Sequence, residues 1–240
     1  MVCALALFVF DGGRAAALPA ANAVGQNDVT AIDIALEPDA VMIQHAQATN
    51  ARLRAVFPKG FALDATHDPH ITMLQRFVRT ADLDQVYAAA AKVFSDDKVT
   101  SIKLKAYRYY FFTDKSLPGL GLSNIVIETT PELLKVQQDL IAEVAPYTVK
   151  IGTAAAFVTT PEDPDINEPT IHYIAVFVPE HSGANYLPHV TTGLAPIDYL
   201  NALVAAPFDD FTFSPAGAAV FHLGNYGTAR ARLRVLDVKP

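Results

Sequence analysis

Hydrophobic and polar residues alternate along "DVTAIDIAL" from Asp28 in the two-residue rhythm of a half-buried strand. The following stretch, "EPDAVMIQHAQATNARLRAVF" from Glu37, instead spaces Val41, Ala46, Leu53 and Val56 along one helix face. "PKGFALDATHDP" is a connection, and "HITMLQRFV" alternates again. As a strand it puts His70, Thr72, Leu74 and Arg76 on one face and Ile71, Met73 and Gln75 on the other. Thr80 is placed to cap the helix "ADLDQVYAAAAKVF", and "VTSIKLKAYRYYFF" is a long strand rich in β-formers. Past the turn-like "DKSLPGLG" the order restarts. "LSNIVIET" is a strand, Thr129 or Thr130 caps the helix "PELLKVQQDLIAEV" with Pro131 in its first turn, and "NYLPHVTTGLAP" is a strand carrying His189 and Thr191 on one face. "PIDYLNALVAA" is a helix, and "FTFSPAGAAVFHLGNYGTARARLRVL" reads as strands joined at Gly224 to Gly227. Between Pro146 and Gly183, the acid- and Pro-rich "TTPEDPDINEPT" is loop. "IHYIAVFV" suits a helix capped by Asp165 or Asn167 better than a buried strand, although its period fits both.

The two halves thus run strand, helix, His-x-Thr strand, helix, strand, and Pro precedes the His each time, as Pro69-His70 and Pro188-His189. A single His-x-Thr triplet is common by chance. Two at equivalent places of an internal duplication imply two similar lobes, built mainly from residues 28–112 and 122–240 with some exchange of strands, that can bring both motifs to one cleft. The spacing from Leu122 to His189 exceeds that from Val29 to His70 by 26 positions, and the excess falls in the Pro-rich stretch.

Composition narrows what such a cleft serves. With 51% hydrophobic and 18% charged residues the chain is globular, and no stretch reaches the ~20 apolar residues of a membrane span. A net charge of −7 with scattered Lys and Arg argues against binding duplex nucleic acid. One cysteine, Cys3, excludes a disulfide framework or a thiolate metal site. Residues 1–23 combine an apolar run with Ala21-Asn22-Ala23, an export-signal pattern that lacks the usual basic start. The expectation is an exported protein, periplasmic or secreted, cytoplasmic if the segment is no signal, with one bilobal domain over 24–240.

The paired motifs His70-Ile71-Thr72-Met73 and His189-Val190-Thr191-Thr192 resemble the signature of the 2H phosphoesterase superfamily, which includes 2′,3′-cyclic nucleotide phosphodiesterases and the proteins called 2′-5′ RNA ligases. Thr192 departs from the usual apolar fourth position, on the face turned from the cleft. The resemblance implies a bilobal α+β fold, each lobe an antiparallel sheet with flanking helices. It also implies a phosphodiesterase acting on a 2′,3′-cyclic phosphate or a 2′-5′-linked nucleotide or RNA end, with ligation the lesser possibility. His70 and His189 would be the acid and base, and Thr72 and Thr191 would hold the phosphate. No metal and no cofactor is expected, because neither motif offers an HxH or HExxH spacing.

Further substrate contacts are sought at Arg76 by strand alternation, at Tyr110 among the aromatics Tyr107, Tyr109 and Phe112, at Tyr226 of the closing hairpin, and at His67 at the cleft mouth. His45, His172, His181 and His222 have no motif context. The expected partner is a small nucleotide or short RNA end, bound by a monomer. Two alternatives stand beside this reading: a protein that binds a nucleotide or RNA end without turning it over, and two structural His-x-Thr pairs, each buried in its own lobe.

Overall fold

A computed structural model describes residues 28–238 except Ala65 and Glu162. The export-signal expectation, with Cys3, lies outside the described residues. The strands are β1 (Val29–Pro38), β2 (Ile71–Arg79), β3 (Leu104–Thr113), β4 (Leu120–Ile127), β5 (Thr148–Val149), β6 (His189–Pro196), β7 (Phe211–Phe213), β8 (Pro215–Leu223) and β9 (Ala229–Leu236). The helices are α1 (Ala40–Val56), α2 (Leu83–Asp96), α3 (Pro131–Val144), α4 (Glu168–His181) and α5 (Ile197–Ala205). Among the described residues no helix is long and apolar enough to cross a membrane.

Two sheets form, ordered β5-β2-β1-β8-β9 and β6-β4-β3-β7, and every strand pairing is antiparallel. This is the expected α+β architecture of two sheet-and-helix lobes. The chain halves interpenetrate: β3 from the first half joins the second sheet, and β8 and β9 from the end of the chain complete the first. The helices cross over as well. On one face of the first sheet, Ile32, Ile34, Leu74 and Val78 pack with Val86, Ala90 and Phe94 of α2 and Leu133, Val136 and Leu140 of α3. Leu53 of α1 packs instead with Ala195 of β6 and with Leu200 and Leu203 of α5, behind the second sheet. Each lobe therefore needs residues from both ends of the chain.

Capping agrees with the sequence in part. Thr130 accepts from the Leu133 amide at 3.2 Å ahead of α3, and Asp39, which the sequence pattern did not single out, accepts from the Val41 amide at 3.0 Å at the start of α1. Thr80 does not cap α2. Its hydroxyl bonds the Thr30 hydroxyl at 2.8 Å, and a short 3₁₀ turn over Thr80–Asp82 leads into the helix. The unsettled "IHYIAVFV" is helix α4, capped by Asn167, whose side chain accepts from the Thr170 amide at 2.8 Å. Ile174 of α4 packs with Ala31, Phe77 and Leu223, so this inserted helix covers part of the first sheet's other face.

Candidate active site

Strand alternation breaks at the same point in both lobes. In β2 the pairing steps from Leu74 opposite Ile34 to Thr72 opposite Ala35, which leaves Met73 as an extra, bulged residue. In β6 it steps from Gly193 opposite Ser123 to Thr191 opposite Asn124, which leaves Thr192 extra. The bulged residue is thus the fourth position of each motif. A bulge flips the face of everything beyond it, so Gln75, not Leu74, joins Thr72 on the site face. Gln75 Nε2 donates to Asp33 Oδ2 at 2.9 Å, and the Thr72 hydroxyl donates to the same oxygen at 2.6 Å. Leu74 instead faces the helix-packed core.

This corrects the face assigned to Arg76. It lies opposite Ile32 on the helix side, where its guanidinium reaches Thr148 at 3.5 Å and burial lowers its pKa. It is not brought to the histidines.

The two imidazoles are held alike. His70 Nδ1 bonds the Asp68 carbonyl at 2.6 Å, and His189 Nδ1 bonds the Leu187 carbonyl at 2.7 Å, two residues upstream in each case. A carbonyl only accepts, so Nδ1 carries the hydrogen in both rings and Nε2 is left for chemistry. Each ring leans on a phenylalanine of the strand two places across the sheet. His70 lies 5.8 Å from Phe221 of β8, and His189 lies 5.3 Å from Phe112 of β3. His70, Thr72, His189 and Thr191 all stay partly exposed, while Ile71 and Val190 between them are fully buried.

The motifs meet. Tyr186, three residues before His189, donates its hydroxyl to the Thr72 carbonyl at 2.7 Å. Burial lowers the His189 pKa below the usual imidazole value, the bond to the Leu187 carbonyl opposes this, and a charge on nearby His70 lowers it further. The structure therefore does not place the two imidazoles in separate cores.

The lobes differ in what holds each threonine. In the second lobe the Thr191 hydroxyl donates to Asn124 Oδ1 at 2.9 Å. In the first, the acceptor is the carboxylate of fully buried Asp33, whose Oδ2 also lies 3.6 Å from His70 Nε2. Asp33 Oδ1 has no hydrogen-bond partner among the described residues. Burial raises the Asp33 pKa more than His70 and the bonds from Thr72 and Gln75 lower it. The pattern alone did not single out Asp33 or Asn124, yet a signal existed: each is a polar residue followed by Ile in the first strand of its half, "AIDIAL" and "LSNIVI".

The other candidates separate. Tyr110 pairs with Asn124 and packs edge-on to Phe112 at 5.2 Å, with Arg108 over its ring, so Arg108, Tyr110 and Phe112 line the face that carries His189. Tyr109 turns the other way, to Thr49 and Arg52 of α1. Tyr226 reaches the β3–β4 loop, where its hydroxyl bonds Ser116 at 3.2 Å, and its backbone amide bonds Thr170 at 3.0 Å. His67 stacks on Phe61 at 4.5 Å, and its pKa is lowered by burial and then by the charge of Arg230. His222 bonds the Ala156 carbonyl, His45 stacks on Phe211 and His181 on Tyr173, all in structural contacts. Arg232, unremarked in the sequence, ion-pairs with Asp68 at 2.6 Å and Glu37 at 2.7 Å and stands over the Phe221 ring beside His70.

Among the described residues no group of three or more His, Cys, Asp or Glu is arranged to hold a metal ion. Two histidines, two hydroxyls and a buried carboxylate can exchange protons with a phosphate ester and donate hydrogen bonds to its oxygens.

No protein-family model matches the chain, and no curated protein matches it at a significant level. Solved structures with a similar course exist at low identity. TT0787 of Thermus thermophilus is 15% identical, with 88% of this chain and 100% of that chain covered and a TM-score of 0.48. LigT of Escherichia coli, solved with 3′-AMP, is 11% identical, with 89% and 99% covered and a TM-score of 0.46. Usb1 of Kluyveromyces marxianus is 8% identical, with 89% and 99% covered and a TM-score of 0.41.

Proposed function

We propose that this chain is a phosphodiesterase of the 2H phosphoesterase type, hydrolysing a 2′,3′-cyclic phosphate or a 2′-5′-linked nucleotide or RNA end without a metal. The observation that carries the reading is the matched pair of imidazoles, each with Nδ1 fixed to a carbonyl two residues upstream so that Nε2 is the nitrogen left for chemistry, on motifs tied together by the Tyr186–Thr72 bond. Paired imidazoles of this kind serve in-line displacement at phosphorus, one ring taking a proton from water and the other giving one to the departing ribose oxygen. Thr72 and Thr191 flank them within their own strands and hold the non-bridging oxygens when a hydroxyl turns from its protein acceptor to the substrate. The Arg108, Tyr110 and Phe112 strip beside His189 supplies a cationic, aromatic surface suited to a base. A non-catalytic nucleotide-binding role is the second reading, and the intact pair of partly exposed rings speaks against it.

The test is turnover of 2′,3′-cyclic nucleotides and 2′-5′ dinucleotides by wild type, His70→Ala and His189→Ala, with and without chelator. Each substitution is expected to lower turnover by about 10²- to 10⁴-fold, and chelator to change nothing. Wild-type rates in either variant refute the mechanism.

A further inference from the structure

The threonine acceptors break the symmetry of the site. Asn124, which receives the Thr191 hydroxyl, is neutral at every pH, whereas Asp33, which receives the Thr72 hydroxyl, is a carboxylate with no exposed surface. Its Oδ2 sits 3.6 Å from His70 Nε2, the nitrogen left for chemistry, and its Oδ1 has no hydrogen-bond partner among the described residues. An orphaned carboxylate oxygen in a fully buried position costs stability and calls for a reason. We propose that Asp33 is a positioning residue that holds one proton jointly with His70, making His70 the general acid of the reaction and leaving His189 as the general base. This rests on the phosphodiesterase reading above and adds the direction of proton flow.

The groups facing the pair agree with that direction. From β6 stands His189, and from the loop before it Tyr186, buried and hydrogen-bonded to the Thr72 carbonyl. From α4 comes Tyr173, whose pKa partial burial and the Asp33 charge push up to about 12, so it is neutral across the working range. From β9 comes Arg232, whose charge is engaged by Asp68 and Glu37. Asp68, on the loop carrying His70, is the carboxylate bound to that arginine. Among the described residues no second carboxylate thus competes for the proton at Asp33. His189 has no carboxylate at its threonine, and burial favours its neutral, proton-accepting form.

In the step, His189 Nε2 takes a proton from water, the water oxygen bonds to phosphorus, and the bond from phosphorus to the ribose oxygen breaks. The electron pair of that bond stays on the ribose oxygen, which takes the proton from His70. A nucleoside 2′- or 3′-monophosphate leaves, and water is the only co-reactant.

Asp33→Asn reproduces in the first lobe the amide that the second already uses. It is expected to lower kcat/KM on a 2′,3′-cyclic nucleotide about 10- to 100-fold at slightly alkaline pH. It is also expected to move the alkaline limb of the pH profile down by about one unit, with the acid limb unmoved. On a p-nitrophenyl diester, whose leaving group needs no proton, Asp33→Asn and His70→Ala should lose only a few fold while His189→Ala keeps its full loss. Asn124→Asp, the converse change, should move the acid limb up. Equal losses on both substrates, or movement of the acid limb in Asp33→Asn, overturn the assignment. Titration of the ring resonances by NMR needs no turnover: Asp33→Asn should make the His70 ring lose its proton at lower pH and leave His189 in place. An unchanged His70 titration overturns the proposal. Absence of turnover in wild type with a shifted His70 titration overturns only the phosphodiesterase reading.

Discussion

Replacing Tyr186 by Phe removes one atom that ties the two motifs together. The hydroxyl donates to the Thr72 carbonyl at 2.7 Å and lies 3.3 Å from Met73 Sδ, and the side chain is only 7% exposed. Phenylalanine keeps the ring and its packing but leaves the Thr72 carbonyl without this donor. An orphaned buried acceptor costs about 1–3 kcal/mol, and because Thr72 keeps partial exposure the lower part of that range, about 1–2 kcal/mol, applies. For a chain of this length that lowers Tm by about 2 to 8 °C. Urea denaturation should show the loss with an unchanged slope, since the exposed surface on unfolding is the same. The kinetic effect exceeds the thermodynamic one. Leu187, one residue on, provides the carbonyl that orients His189, so a Tyr186 that no longer anchors to β2 loosens the distance between the two rings. Misplacement by about 1 Å costs up to about 10²-fold, so kcat should fall about 10-fold or more with KM held within two-fold. A variant that loses the stability but keeps wild-type kcat refutes the idea that this bond sets the spacing of the rings.

Gly193, in the second motif's strand, has φ +143°, and a Cβ there would lie 2.9 Å from Asn50 Nδ2 and 3.1 Å from Leu53. Gly193→Ala should cost about 1–3 kcal/mol by thermal or urea melts, and a neutral result would mean that α1 can withdraw freely. Asp33→Asn should stabilise the fold at pH 8 by about 1–3 kcal/mol, because it removes a buried charge without changing volume. The sign follows from the raised folded-state pKa of Asp33: the native state holds its proton to higher pH than the unfolded chain, so the Asp33 contribution to wild-type stability falls as pH rises above the ordinary carboxylate value. The gain should vanish toward pH 3.5, and urea melts at the two pH values check it. A variant less stable than wild type at pH 8 contradicts a strained carboxylate.

Much of this architecture was written in local pattern. The strand and helix rhythms, the restart after Gly121 and the proline before each histidine sufficed for two sheet-and-helix lobes and to nominate His70, Thr72, His189 and Thr191 as candidates. The sheet partners were not readable in the same way, because β3 and the β8–β9 pair cross to the lobe made by the other half, and alternation within a strand carries no information about which strand lies beside it. Asp33 escaped for a different reason. One acid in "AIDIAL" reads as a solvent-facing position of a half-buried strand, and only α4, folded from the Pro-rich insertion, and Gln75 and Thr72 across the sheet turn that face into an interior.

The misassigned face of Arg76 points to how the site is built. Alternation fails after Thr72 because Met73 is an extra residue, and an extra residue leaves the ladder with polar groups to satisfy. Its carbonyl is taken by Gln137 Nε2 of α3 at 3.1 Å, and Gln137 is fully buried. In the second lobe the bulged Thr192 gives its carbonyl to Asn50 Nδ2 of α1 at 2.9 Å, and Asn50 is almost as deeply buried. A buried amide on a helix is thus the counterpart of each bulge. The Thr192 side chain itself bonds Ser123 at 3.0 Å, away from the histidines, so a polar fourth position serves the bulge without touching the chemistry. In both lobes, then, the same defect turns the strand just past the His-x-Thr pair, and a helix side chain far away in sequence holds the defect open. Alternation within one strand cannot forecast such a defect, since the residue that stabilises it lies 64 positions away in one lobe and 142 in the other.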